Sequence, residues 1–165
     1  MTTKSKKRQW CIREAALDDV PALESLFRDT IATVCAVDYN AEQIQAWAGT
    51  VGRTDSLAKR VGTQHFYVAE SETGEIVGFA SFEEPDYLDL MYVHKDFQRL
   101  GVGNVLLSRI HEKATGIGAT KIVSDVSITA RPFFEKNGFR IQKNQTVWIG
   151  SIELTNYKME KTIVQ

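Results

Sequence analysis

Between a strand-like run that ends at Val93 and an apolar helix that begins near Gly101, the chain reads Gln98-Arg99-Leu100-Gly101-Val102-Gly103-Asn104. Paired glycines let a backbone approach a ligand without Cβ interference. The first amides of a helix, unpaired within it and aided by its dipole, attract an anion. Phosphate is the natural ligand for such a loop. A plain loop-to-helix turn, with glycine kept only for tight packing, accounts for the same residues. Rival phosphate motifs fail on spacing. A dinucleotide-binding turn needs a glycine where Leu106 stands and a strand running straight into it. A P-loop needs Lys and then Ser or Thr after the second glycine, where Asn104 and Val105 follow.

Just upstream, Tyr87-Leu88-Asp89-Leu90-Met91-Tyr92-Val93 carries a carboxylate in mid-strand. Alternation groups Asp89 with Tyr87, Met91 and Val93 on one face, and Leu88, Leu90 and Tyr92 on the other. A carboxylate among apolar neighbours suits either a general base or a hydrogen-bonded structural group. Glu83, ending the preceding strand, and His94 are the other candidates for that base. His94 also reads as a surface loop residue, and His65 and His111 have no catalytic pattern. Cys11 and Cys35 show no disulfide or metal-ligand spacing and read as free thiols of a reducing compartment.

The elements that must hold these residues follow from periodicity. Trp10 to Glu14 reads as a short strand, and Asp18 or Asp19 caps a helix with Pro21 in its first turn. Val20, Leu23, Phe27, Ile31 and Val34 form its apolar stripe. Asn40 and Gln43 make a capping box for a second helix that ends at Gly49. A third helix, Asp55 to Val61, stops at Gly62. The period then changes: His65 to Glu70 and Glu75 to Glu83 form a hairpin, and Tyr87 to His94 a further strand. A helix from Gly101 to Ile117 buries Val102, Leu106, Ile110, Ala114 and Ile117. Lys121 to Val126 is a strand, and Ala130 to Lys136 a short helix ended by the left-handed pair Asn137-Gly138. Phe139 to Trp148 and Ile152 to Lys161 are two long strands joined at Gly150-Ser151. The expected class is α/β (α+β): a mixed, mainly antiparallel sheet of six to seven strands with helices on both faces.

Composition narrows the function classes. The 165 residues carry 20 Lys+Arg against 21 Asp+Glu, for a net charge of −1, with 43% hydrophobic residues. A chain of this length buries about two-thirds of its unfolded surface and needs neither disulfides nor metal for a core. Lys4, Lys6, Lys7 and Arg8 stand without an acid, so residues 1–8 read as a disordered basic tail ahead of a single, mildly acidic domain over 9–165. Nucleic-acid binding would call for a basic stripe over the fold itself. No apolar run approaches the length of about 20 residues that crosses a bilayer, and no secretory signal follows the basic start. The cytoplasm is the expected compartment, with no membrane partner.

Two ordered motifs resemble the GNAT superfamily of acyl-CoA N-acyltransferases, in a small bacterial-type form. The first is the apolar strand ending in Val93, a loop, and Gln98 to Gly103 opening an apolar helix. The second is Ala130-Arg131-Pro132-Phe133-Phe134-Glu135-Lys136-Asn137-Gly138-Phe139. The resemblance covers about residues 10 to 160, and the element order above is the one that family requires. It implies acetyl-CoA as cosubstrate and no metal. The pyrophosphate would lie on the amides of Gln98, Arg99, Leu100, Gly101, Val102, Gly103 and Asn104. The pantetheine would pair with main-chain groups at Tyr92 and Val93, next to His94, with Phe133 lining its channel.

The implied reaction is acetyl transfer to a primary amine of a small molecule or peptide. It needs a base, an oxyanion donor and a proton for the thiolate. By resemblance a main-chain N–H near Val93 is the oxyanion donor. Asp89 is the preferred base, with Glu83 in reserve. The sequence departs from the family at Phe134, where many members hold a tyrosine that protonates sulfur; phenylalanine cannot donate. Ser127, standing where the family commonly has Asn, is then a candidate donor alongside Thr129 and Tyr157. The competing reading is a catalytically weak acyl-CoA-binding regulatory module. Tyr39, Trp47 and Arg53 are candidate walls for the acceptor, and the C-terminal hairpin offers an edge for a homodimer.

Overall fold

The computed structural model describes residues 8–52 and 56–163. The expectations placed on the basic tail through Lys7, on Arg53 and on Asp55 lie outside the described residues. Runs rich in β-branched and aromatic residues give β1 (Cys11–Glu14), β2 (His65–Glu70), β3 (Ile76–Glu83), β4 (Tyr87–Val93), β5 (Lys121–Ser127), β6 (Arg140–Ile149) and β7 (Ile152–Thr162). They form one sheet in the order β1-β2-β3-β4-β5-β7-β6. Only β4 and β5 are parallel; the other neighbours are antiparallel.

The helices α1 (Val20–Thr33), α2 (Ala41–Ala48), α3 (Ser56–Thr63), α4 (Val102–Gly116) and α5 (Arg131–Lys136) cover both faces. On one face, Val102, Leu106 and Ile110 of α4 pack on Val77, Leu88 and Ile122. On the other, Leu23, Phe27 and Ile31 of α1, with Leu57 of α3, pack on Phe66 and Phe79. Gly78 lets α4 sit this close: a Cβ there would lie 2.8 Å from Val102 Cγ1 and 3.0 Å from the Tyr92 carbonyl oxygen.

Several local expectations change. The capping box at Asn40 and Gln43 is formed in both directions, each bond 2.9 Å. Asp19, by contrast, makes no side-chain cap on α1. Its carboxylate instead accepts from the Ala16 amide at 2.7 Å and from Arg13, whose guanidinium holds the carboxyl below its usual range. Arg13 also binds Glu70, so one side chain ties β1, β2 and the entry to α1. α3 runs through Gly62 to Thr63, α4 ends before an exposed Ile117, and of the pair Asn137-Gly138 only Gly138 is left-handed.

The most consequential change is in β4. Ser81 faces Leu90 and Phe82 faces Leu88, which leaves Asp89 as the extra residue of a β-bulge. The bulge breaks the alternation read from sequence. Leu88 lies with Met91 and Val93 on the α4 face, while Leu90 and Tyr92 face α1. Asp89 turns toward α3, not to the face of Met91 and Val93.

Candidate active site

β4 and β5 are in register at a single pair, Tyr87 with Val123. The Val123 amide donates to the Asp86 carbonyl at 2.9 Å and Ser124 Oγ to the Leu88 carbonyl at 2.8 Å. Beyond these bonds the strands share no ladder, so a gap opens toward Val93 and Ser127. In β4 the His94 amide donates to the Val77 carbonyl, with Val93 opposite Gly78 and Tyr92 opposite Phe79. Antiparallel alternation therefore turns the amide and carbonyl of Tyr92 into the β3 ladder, and those of Met91 and Val93 into the gap. This corrects the pantetheine pairing expected at Tyr92, whose main chain is already engaged. The Val93 carbonyl accepts from Gln98 Nε2 at 2.7 Å and Thr30 Oγ1 at 3.1 Å, so its amide is the group left facing the gap.

The loop beyond β4 is built for exposed amides. Arg99 (φ 58°) and Gly101 (φ 86°) both adopt the left-handed region, a conformation in which successive N–H groups form an anion-binding concavity. Gly101 is the N-cap of α4 and offers no side-chain acceptor, and the first turn holds no acid. The amides of Val102, Gly103 and Asn104 thus lack partners within the helix. Gly103 also has a packing reason, since a Cβ there would stand 3.1 Å from the Phe133 ring. Trp10, read from sequence only as the start of a strand, braces this loop. Its indole donates to the Leu100 carbonyl at 2.9 Å, and its ring meets Phe97 edge-on at 5.9 Å. His94 Nδ1 accepts from the Asp96 amide at 3.1 Å, a local turn contact.

The titratable candidates divide. Asp89 Oδ2 accepts from Arg60 Nε at 2.6 Å and Gln64 Nε2 at 2.8 Å, which makes it the clasp between β4 and α3. Glu83 is exposed at the far end of β3, opposite Tyr87. Ser127 lines the cleft with Tyr92, and its oxygen accepts from the Ala130 amide at 3.0 Å. Thr129 donates to Asp38 at 2.8 Å, and Tyr157 lies under the Arg131 guanidinium at 4.9 Å, so neither is turned to the cleft. Phe134 is core, 5.0 Å from the Phe139 ring.

A carboxylate absent from the sequence-based candidates, Asp125, is exposed in the cleft. It accepts from the Tyr87 hydroxyl at 2.6 Å and from Gln145 Nε2 at 2.7 Å. Burial first, and then this bond to Asp125, push the Tyr87 hydroxyl well above the ordinary phenol range. The cleft holds about 150 Å³ between β5, β7 and α2, with Tyr39, Trp47 and Tyr92 as aromatic walls. Tyr39 donates to the Thr155 carbonyl at 2.7 Å and accepts from the Ile128 amide at 2.9 Å. Burial raises its hydroxyl, and raises that of Tyr92 more strongly, against the opposing hydrogen bond of Trp47.

Known proteins resemble this chain in sequence and fold. The family model for an acetyltransferase (GNAT) domain matches residues 35–161. YafP of Escherichia coli (strain K12), described as an uncharacterized N-acetyltransferase, is 29% identical over 148 residues, 90% of this chain and 93% of its own. A Rhodopseudomonas palustris protein, described as a GCN5-related N-acetyltransferase (aminotransferase, class-II), has a crystal structure with a TM-score of 0.89. It is 32% identical, over 93% of this chain and 95% of that one. The PaiA N-acetyltransferase of Thermoplasma acidophilum, crystallised with coenzyme A, has the same fold at a TM-score of 0.79. It is 19% identical, over 94% of this chain and 99% of that one.

Proposed function

The chain belongs to the GNAT acetyltransferase family, and we propose that it transfers an acetyl group from acetyl-CoA to the primary amine of a small molecule or peptide. The observation that carries this is the unpaired main-chain edge of β4 beside a helix start without a side-chain cap. The pyrophosphate takes the amides between Gln98 and Asn104, where the α4 dipole favours negative charge. The pantetheine arm then enters the gap as an added strand. Coming from the loop, it reaches Val93 first and Met91 deeper in. The Val93 N–H therefore pairs with the arm, and the Met91 N–H meets the thioester oxygen as charge develops there.

The acceptor enters as an ammonium, with a pKa of about 10, and gives up one proton to solvent water through the open cleft before attack. The nitrogen lone pair forms the C–N bond, and collapse of the adduct breaks the C–S bond. Ser127 Oγ–H protonates the departing thiolate and regains a proton from the adduct nitrogen. The products are an amide and CoA thiol, with one proton released. Asp89, clasped by Arg60 and Gln64, acts by positioning β4 rather than as the base.

Thiol release followed over a panel of amines, with the product weighed by mass spectrometry, tests this reading. The expected result is CoA release that requires an amine, with one acetyl group gained by the acceptor. Acetyl-CoA binding without amine-dependent release would support the regulatory-module reading that Phe134 favours. The absence of a membrane partner stays a proposal; no described helix is long and apolar enough to cross a bilayer.

A further inference from the structure

Several polar groups of the cleft wall are already hydrogen-bonded. The Tyr39 hydroxyl is bonded on both sides, to Thr155 and Ile128. Ser127 and Asn156 accept from Ala130 and Gln145. Ring and methyl surface, with Val147, Ile149 and Leu154, makes up much of the remaining wall, and the Ser127 hydroxyl keeps its proton for transfer. Asp125 is the one charged residue among the described residues lining the cleft, and no cation among them lies within ion-pair distance of it. Lys158 stands opposite it on β7 and is exposed without forming that pair. Two neutral donors, Tyr87 and Gln145, fix the carboxylate, while lone pairs remain for a third donor.

We propose that the acceptor is a compact monoamine. Its ammonium is held by Asp125, its apolar body is no larger than a single ring lying between Tyr39, Trp47 and Tyr92, and it bears no carboxylate or phosphate. This deepens the acetyltransferase reading and rests on it. The cleft volume of about 150 Å³, close to that of a cavity that holds one benzene-sized group, sets the size of the part seated between these walls. The cation preference comes from an unpaired carboxylate beside aromatic faces, which attract cations. An anionic substituent would meet Asp125 with no basic side chain among the described lining residues to offset it. Asp125 is a specificity residue here. Its contact is with the ammonium, which it orients toward the gap between β4 and β5.

The test uses 2-phenylethylamine, its carboxylated counterpart phenylalanine, and spermidine, which carries further cations. Calorimetry without acetyl-CoA reads the pocket independently of group transfer, and thiol release reads turnover. The expected result is binding of 2-phenylethylamine in the wild type, with kcat/KM at least tenfold above both comparison amines. Asp125→Asn should weaken that binding and raise KM at least tenfold, with acetyl-CoA affinity unchanged. It should also abolish the preference for 2-phenylethylamine over 2-phenylethanol as a ligand. Preference for phenylalanine or spermidine, no binding of 2-phenylethylamine, or an unchanged KM in the variant would overturn the proposal. Failure of acetyl-CoA itself to bind would instead remove the acetyltransferase reading beneath it.

Discussion

Asp89 and Asp125 lie on adjacent strands, and their partners divide their work. Asp89 faces a cation, Arg60, with side chains 34% and 14% exposed for Arg60 and Asp89 respectively; Asp125 faces two neutral donors at the cleft. Replacing Asp89 with Asn should therefore cost stability, about 1 to 2 kcal/mol for a part-buried ion pair. It should lower kcat several-fold by loosening β4, without moving the pH profile of turnover. A shifted profile with unchanged thermal stability would return Asp89 to the role of base. The sequence showed a carboxylate on β4 in apolar company but not its partners, because Arg60 and Gln64 sit on a helix whose docking is a tertiary fact. Asp125 was hidden for a different reason. In Ile122-Val123-Ser124-Asp125-Val126 a lone acid reads as the solvent side of a strand, and only the opening between β4 and β5 turns it into a wall.

At the scale of elements, the helices and strands were legible because their periods and caps are local. The capping box of α2, the hairpin of β2 and β3, and the stripe of α4 need no distant contact to be read. The bulge at Asp89 does, since it is a mismatch of count between two strands. It decides which residues line the gap: without it Leu88 would share a face with Tyr92. The seat of α4 on β3 is the other element-level determinant. Gly78→Ala would press a methyl into Val102, Leu106 and the Tyr92 carbonyl, where the nearest atoms stand 2.8 to 3.0 Å away. Overpacking of this kind costs about 1 to 3 kcal/mol. Because α4 opens with the amides proposed to hold the pyrophosphate, the same change should weaken acetyl-CoA binding, measured by calorimetry. Loss of stability with full affinity would show that the loop does not depend on this seat.

Over the whole molecule, the site is assembled from segments far apart in the chain: Trp10 braces Leu100, Tyr39 joins Thr155 and Ile128, and Tyr87 reaches Asp125. The half proposed for the cofactor was readable because its left-handed turn and its close approach to Phe133 leave a glycine signature. The acceptor half was not, because its walls come from α2, β4, β5 and β7 and acquire a common cavity only in the folded sheet. In the proposed reaction acetyl-CoA sits on the α4 amides. Gly103→Glu would confuse charge with packing, as its Cβ meets Phe133 at 3.1 Å. Asn104 is exposed in the first turn of α4, where a carboxylate suits the helix dipole and repels a pyrophosphate. The decisive measurement is the thermal midpoint of wild type, Asn104→Gln and Asn104→Glu, each with and without saturating acetyl-CoA. A rise of several degrees is expected for wild type and Asn104→Gln. Asn104→Glu should start at least as stable as wild type and show almost no rise. An equal rise in all three proteins, or none in wild type, would rule out acetyl-CoA binding on these amides.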